Sequence, residues 1–215
     1  MVDFHSNFNS QLQQAVILPM STSQPHAPPA SNTLLYISGA FMLIGITFLA
    51  WMGQPPTVVT VGNPLPQLDL HPLLEGTEPL SREQLQGKLT VIHFWGTWCP
   101  PCEAEFPEFA KLAAKFSGNP EVAIVSVSCS SGPEYDLDQL RSLTEKFMSN
   151  YDTPIPTYSD PTAMTRQQLA LILPNGSLGY PTTLLVDRDG KILELLEGYL
   201  PGDMEKLSLS VEQRL

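Results

Sequence analysis

One segment of the 215-residue chain constrains its architecture more than any other. Residues 88–116 read KLTVIHFWGTWCPPCEAEFPEFAKLAAKF. Lys88–Trp95 is apolar nearly throughout, as a strand covered on both faces should be. Four residues later Cys99, with Cys102 after it, opens Pro100–Phe116, whose Phe106, Phe109, Ala110, Ala113 and Phe116 recur at helical spacing. Glu103, Glu105 and Glu108 lie early in that helix and Lys111 and Lys115 late, which suits the helix dipole. A second apolar run at Val122–Val127 follows. Two doubly covered strands joined by a helix imply a right-handed parallel crossover, hence an α/β fold.

The remaining segments extend this core. VVTV at 58–61 reads as a short strand, and Ser81 with Gln84 resembles a capping box. Leu137–Met148 is an amphipathic helix, TPIPTYSDP holds at most a short strand, and Ala163–Ile172 is a short helix. Thr182–Val186 and Lys191–Leu196 flank Arg188-Asp189-Gly190 and predict an antiparallel hairpin. Residues 201–214 form a terminal helix, and the order is β-α-β-α-(β)-α-β-β-α.

The N-terminus differs in kind. No Asp, Glu, Lys or Arg stands between Asp3 and Asp69, so one of the 33 charged residues precedes residue 54. Residues 1–32 are rich in Ser, Gln, Asn and Pro and read as disordered; Met1 and Met20 are both candidate starts. Leu34–Met52 has nineteen residues without a charge. A helix of that length spans roughly the 30 Å of a bilayer core. Tyr36 and Trp51 sit near its two ends, where amphipathic rings favour the interface. A cleaved signal peptide would need basic residues before it and small ones after it. A buried core helix would need elements to cover it. The expected organisation is therefore a disordered segment at 1–32, an uncleaved transmembrane anchor at 33–53 and a soluble domain at 54–215. Lys and Arg are absent near the span, so charge sets no orientation. The net charge of −11 excludes a nucleic-acid binder that works through a basic face.

The chemistry lies in WGTWCPPC, at the junction of strand and helix. A helix start offers unpaired N–H groups and a partial positive charge, which lower the pKa of a thiol placed there. Cys99 holds that place and is expected to be the exposed nucleophile. Cys102 lies within the first turn, near enough to resolve a mixed disulfide. Pro100 and Pro101 leave no N–H unused at the helix start. A zinc site would need four ligands, and Cys129 with His5, His26, His71 and His93 offers no second ligand pair. A three-residue spacing is also a poor structural cross-link. Redox chemistry without metal or cofactor is the expectation.

These motifs, with Glu105-Phe106-Pro107 and with Gly179-Tyr180-Pro181-Thr182-Thr183 before DRDGK, resemble the TlpA/ResA group of thioredoxin-like proteins over roughly residues 58–205. The resemblance implies a thioredoxin-like fold, a mixed central sheet flanked by helices, behind one transmembrane helix. It implies a membrane-anchored thiol–disulfide oxidoreductase of the bacterial cytoplasmic membrane, facing the periplasm or the outside. Protein thiols and disulfides are its expected partners, apocytochrome c among them, with a membrane electron donor. Cys99 and Cys102 match the redox-active disulfide, and Pro181 matches a cis-proline facing it. Trp98 and Tyr180 are the expected substrate-binding neighbours of that proline. Glu105 matches a glutamate thought to tune the thiols; its alternative is a solvated helix-surface acid. Pro107 matches a helix-kinking proline.

His93 stands where thioredoxin has a buried aspartate. It reads first as a hydrogen-bonded core histidine and second as a thiol-tuning group. Cys129, at the end of the next strand, reads first as a buried inert thiol and second as a thiol that approaches the pair. Competing functions are a peroxidase of the same superfamily, whose attacking cysteine usually lies in a Thr-rich loop, a copper-assembly factor, which needs a late histidine, and a redox-inert binding module.

Overall fold

The interior strand expected from its unbroken apolar run forms as β2, Leu89–Trp95, and all seven of its residues are buried. The structure, a computed structural model, describes residues 37, 39, 42–47, 61–132 and 136–215. The chain divides into two units, Met1–Pro55 and Pro56–Leu215. In the first, Ile37, Gly39 and residues 42–47 are helical and exposed. The Thr47 hydroxyl donates to the Leu43 and Ile44 carbonyls, each at 2.9 Å. The rest of the expected span and all of residues 1–32 lie outside the described residues. Among the described residues no helix is long and apolar enough to cross a membrane.

The second unit is built on one six-stranded mixed sheet. Besides β2 it contains β1 (His71–Pro72), β3 (Val122–Ser128), β4 (Thr157–Ser159), β5 (Thr182–Val186) and β6 (Ile192–Glu197), in the order β1-β4-β3-β2-β5-β6. β3 runs parallel to both β2 and β4. β5 runs antiparallel to β2, β6 antiparallel to β5, and β1 antiparallel to β4. The helices are α1 (Arg82–Leu85), α2 (Pro100–Phe116), α3 (Leu137–Met148), α4 (Met164–Ala170) and α5 (Asp203–Glu212). The thioredoxin-like α/β arrangement is therefore present.

Alternation along β2 divides the core between the two faces of the sheet. Leu89, Val91 and Trp95 pack with Phe106, Phe109 and Phe116 of α2 and with Met204, Leu207 and Val211 of α5. Ile92 and Phe94 point the other way, to Val125, Val127, Leu169 and Leu184. At the N-terminus of α1 the expected capping box forms, with Ser81 N donating to Gln84 Oε1 at 2.7 Å and Gln84 N to Ser81 Oγ at 3.4 Å.

Several boundaries differ from the expectation. The strand expected at 58–61 lies outside the described residues except for Val61. Just beyond it, Gly62 N donates to Ile192 O and Ile192 N to Asn63 O, extending the sheet edge past β6. α4 starts one residue later than expected because Ala163 takes a left-handed conformation (φ 56°) that a helix cannot include, and it ends at Ala170 rather than Ile172. α5 begins at Asp203 rather than 201, because Gly202 (φ 87°) stands at its N-cap. β1 has no strand-like pattern of its own; its proline is tolerated because the strand lies at a sheet edge.

Candidate active site

β2 ends in the sheet interior, and Gly96-Thr97-Trp98 turns the chain into α2. Cys99 is the N-cap of α2, in an extended conformation (φ −104°, ψ 103°). Pro100 and Pro101 fill the first helical positions, where a missing N–H costs nothing. The first N–H available after them, that of Cys102, donates to Cys99 Sγ at 3.3 Å. Cys99 and Cys102 are joined as a disulfide with Cα atoms 5.2 Å apart. The exposure expected of Cys99 is not found in this oxidised state. Cys99 is 3% exposed and Cys102 0%.

Trp98 is 44% exposed. Its indole N–H donates to the Cys129 carbonyl at 2.9 Å, and its ring meets Tyr180 edge-on, with centroids 5.4 Å apart. Gly96 permits this approach, since a Cβ there would run into the Trp98 indole. The Tyr180–Pro181 peptide bond is cis. The β2–β5 register pairs Phe94 with Thr182, so Pro181 falls just beyond, at the sheet end where Gly96 leads to Cys99. The structure thus brings Trp98, Tyr180 and Pro181 to the disulfide end of the sheet.

His93 and Glu105 meet inside the molecule, one from β2 and one from α2. Each is almost wholly buried, and His93 Nδ1 lies 3.8 Å from Glu105 Oε2. The His93 ring stacks on Phe109 with centroids 4.2 Å apart, and its Nδ1 shares a hydrogen bond of 2.9 Å with Thr183 Oγ1. Among the described residues, His93 Nε2 and Glu105 Oε2 find no hydrogen-bond partner. Burial lowers the His93 pKa to about 3. Burial, reinforced by Glu108 and Asp203, raises that of Glu105 to about 7. Near neutral pH the contact therefore joins an uncharged ring to a carboxyl poised to titrate, not a fixed ion pair. The alternative of a solvated surface acid fails for Glu105, which is 1% exposed. Glu105 follows Cys102 by three residues and shares its helix face. Thr183, Glu108 and Asp203 are the influences that sequence reasoning missed; the paired threonines after Pro181 were the available signal for the first.

Cys129 follows β3, is free and buried, and its thiol pKa is pushed up to about 12, chiefly by burial. Both features oppose formation of a Cys129 thiolate. Among the described residues no group of three or more His, Cys, Asp or Glu is placed to hold a metal ion.

A thioredoxin-like sheet with a dithiol pair at the N-terminus of its longest described helix defines a thiol–disulfide oxidoreductase of the thioredoxin superfamily. The chain belongs to the AhpC/TSA family, whose model matches residues 61–195. It is 28% identical over 165 residues to the thiol-disulfide oxidoreductase ResA of Bacillus cereus, covering 77% of this chain and 84% of that one. It is 27% identical over 169 residues to the thiol:disulfide interchange protein DsbE of Pseudomonas aeruginosa, covering 77% and 83%. The crystal structure of a DsbE-type interchange protein from Chlorobium tepidum superposes with a TM-score of 0.54 at 24% identity, covering 71% of this chain and 96% of that one, and shows the shared fold. The resemblance to the TlpA/ResA group is thereby borne out.

Proposed function

We propose that the protein reduces disulfides of proteins outside the bacterial cytoplasm, with residues 33–53 as its anchor in the cytoplasmic membrane and the domain at 54–215 facing the periplasm or the outside. The observation that carries this reading is the position of Cys99 Sγ at the start of α2, where the Cys102 N–H points at it. In the reduced protein the same N–H and the helix dipole stabilise a Cys99 thiolate.

That thiolate attacks one sulfur of a substrate disulfide. The substrate S–S bond breaks, a mixed disulfide forms, and the departing substrate thiolate takes a proton. The Cys102 thiolate then attacks Cys99 Sγ, breaks the mixed disulfide and releases the second substrate thiolate. Two electrons pass to the substrate and the Cys99–Cys102 disulfide remains. Glu105, with a pKa of about 7 and on the helix face of Cys102, is suited to accept the Cys102 proton and return it. Neutral His93 borders that carboxyl. Trp98 and the backbone of Tyr180, before Pro181, receive an extended substrate segment by strand-like pairing. A dithiol donor in the membrane restores the reduced state. The TlpA/ResA resemblance supports the direction, the location and apocytochrome c as a substrate. The nineteen-residue uncharged stretch supports the anchor.

A Cys102→Ser variant of the full chain tests the chemistry. Without the resolving thiol, a partner should accumulate as a mixed disulfide on Cys99, identifiable by mass spectrometry. Absence of any adduct on Cys99, or an adduct on Cys129 instead, would sink the mechanism. For the anchor, the full chain should stay with membranes through carbonate extraction. Its recovery in the soluble fraction would remove the anchor from the reading.

A further inference from the structure

On the face of the sheet opposite α2, a polar group is buried without being an obvious part of the redox chemistry. Asp160 is 1% exposed. Its carboxylate accepts Thr165 N at 3.3 Å and Arg166 N at 3.0 Å, so it serves α4 as the cap that Ala163 lacks. Arg166 turns back onto the same residue. Its Nε donates to Asp160 Oδ2 at 3.1 Å and its Nη2 to the Asp160 carbonyl at 3.3 Å. The rest of the guanidinium reaches further: Nη1 donates to the Tyr180 hydroxyl at 3.3 Å. A planar fork can hold two partners at fixed directions in this way, and a lysine cannot.

Tyr180 precedes Pro181, and its ring meets Trp98 edge-on. Both members of this aromatic pair are tied down at their polar ends. The Trp98 indole is held by the Cys129 carbonyl and the Tyr180 hydroxyl by Arg166. Cys129 neighbours both, since its carbonyl accepts from the Trp98 indole and its thiol interacts electrostatically with Tyr180. A half-buried tyrosine and a partly exposed tryptophan would otherwise be free to change rotamer at the mouth of the site. Anchoring them removes that freedom before a partner arrives, which is where preorganisation gains affinity.

We propose that Arg166 is a positioning residue: clamped to Asp160 on one side and to the Tyr180 hydroxyl on the other, it sets the face that Tyr180 and Trp98 present to a polypeptide substrate. The inference rests on the proposed reductase reading and adds a specificity determinant to it. A polypeptide running along Tyr180 uses that face. A small disulfide that reaches only Cys99 does not.

The test compares the full-length reduced protein against insulin, a polypeptide disulfide, and cystamine, a small one, as second-order rate constants. Arg166→Lys retains a cation for Asp160 and loses the reach to Tyr180. The ratio of the insulin to the cystamine rate should fall about tenfold, the scale of one charge-assisted hydrogen bond. Tyr180→Phe, which leaves the Asp160–Arg166 pair in place, should lower the same ratio. The double variant should fall no further than the larger single effect, since the two changes remove one contact. A second reading needs no turnover. In the oxidised protein Cys129 is the one cysteine of three outside a disulfide, and Arg166→Lys should speed its alkylation about tenfold as Tyr180 loosens. An unchanged ratio, additive effects in the double variant, or unchanged Cys129 labelling would each overturn the proposal. If the wild type reduced neither disulfide, the reductase reading would fail while Cys129 labelling still decided the role of Arg166.

Discussion

The two faces of the sheet bury polar groups in opposite ways. On the face covered by α2 and α5, His93 and Glu105 sit among Phe106 and Phe109, with one atom each left without a partner among the described residues. On the other face, the Asp160 carboxylate accepts from Arg166 Nε and from the two backbone N–H groups of Thr165 and Arg166 at the start of α4. A buried group with a spare lone pair or proton is costly, and the cost changes when the group titrates. A buried pair with its bonds filled resists change. The first arrangement leaves groups whose protonation can change, and the second holds its side chains in one geometry.

The largest expected effect probes the packing that keeps the first pair dry. Phe106 is fully buried and meets Trp95, Phe109, Phe147 and Tyr151. Phe106→Ala should destabilise the oxidised protein by about 3–5 kcal/mol in denaturant unfolding. It should also let water reach Glu105 and draw its pKa back toward the ordinary range. A loss under about 1 kcal/mol would mean that the aromatic cluster is not what isolates the pair.

Glu105 itself comes next. Its pKa is raised in the folded state, so the native protein holds more protons than the unfolded chain between about pH 4.5 and 7. Its contribution to stability must therefore fall as pH rises through that window. Glu105→Gln removes the fall, and its stability relative to the wild type should grow by about 3 kcal/mol between pH 4.5 and 8. Disulfide reduction should slow by roughly 10²-fold if the carboxyl moves the Cys102 proton. A stability difference independent of pH would show that the carboxyl is not desolvated, and the contrast between the two faces would lose its basis.

His93 has the opposite sign. Its pKa is lowered, so the unfolded chain holds more protons between about pH 3 and 6.5, and stability is lost on acidification through that window. His93→Asn should flatten this loss in thermal melts taken across the range. The rate profile should shift as well if His93 tunes Glu105. A variant profile that overlays the wild type would reduce His93 to packing. The smallest effect is expected at Cys129. With its thiol pushed up to about 12 and buried, Cys129→Ser should leave turnover within about twofold, and a large loss would make it a third redox centre.

Much of the domain was legible because its signals are local. The unbroken apolar run of β2, the helical spacing of Phe106, Phe109 and Phe116, and the Asp-Gly turn of the hairpin each depend on neighbours in sequence. The place of Cys99 at the α2 N-cap follows from the same local junction. β1 was not legible, because two residues, His71 and Pro72, are a strand only through pairing with Ser159 and Tyr158. The burial of Cys99 was also missed, because side-chain exposure is set by what packs around the helix start and not by helix position.

By itself the sequence determined the α/β order, the dithiol at a helix start and the polar, titratable character of the residues near it. Periodicity and spacing are properties of a chain and survive without the fold. What the tertiary structure alone decided was which of those residues meet. Glu105 and His93 are 12 positions apart in the chain, and Arg166 and Tyr180 are 14 apart. A carboxyl becomes a proton acceptor near neutral pH, and an arginine becomes an anchor, only when packing excludes water and fixes their partners. Those are properties of long-range contacts, and no local pattern encodes them.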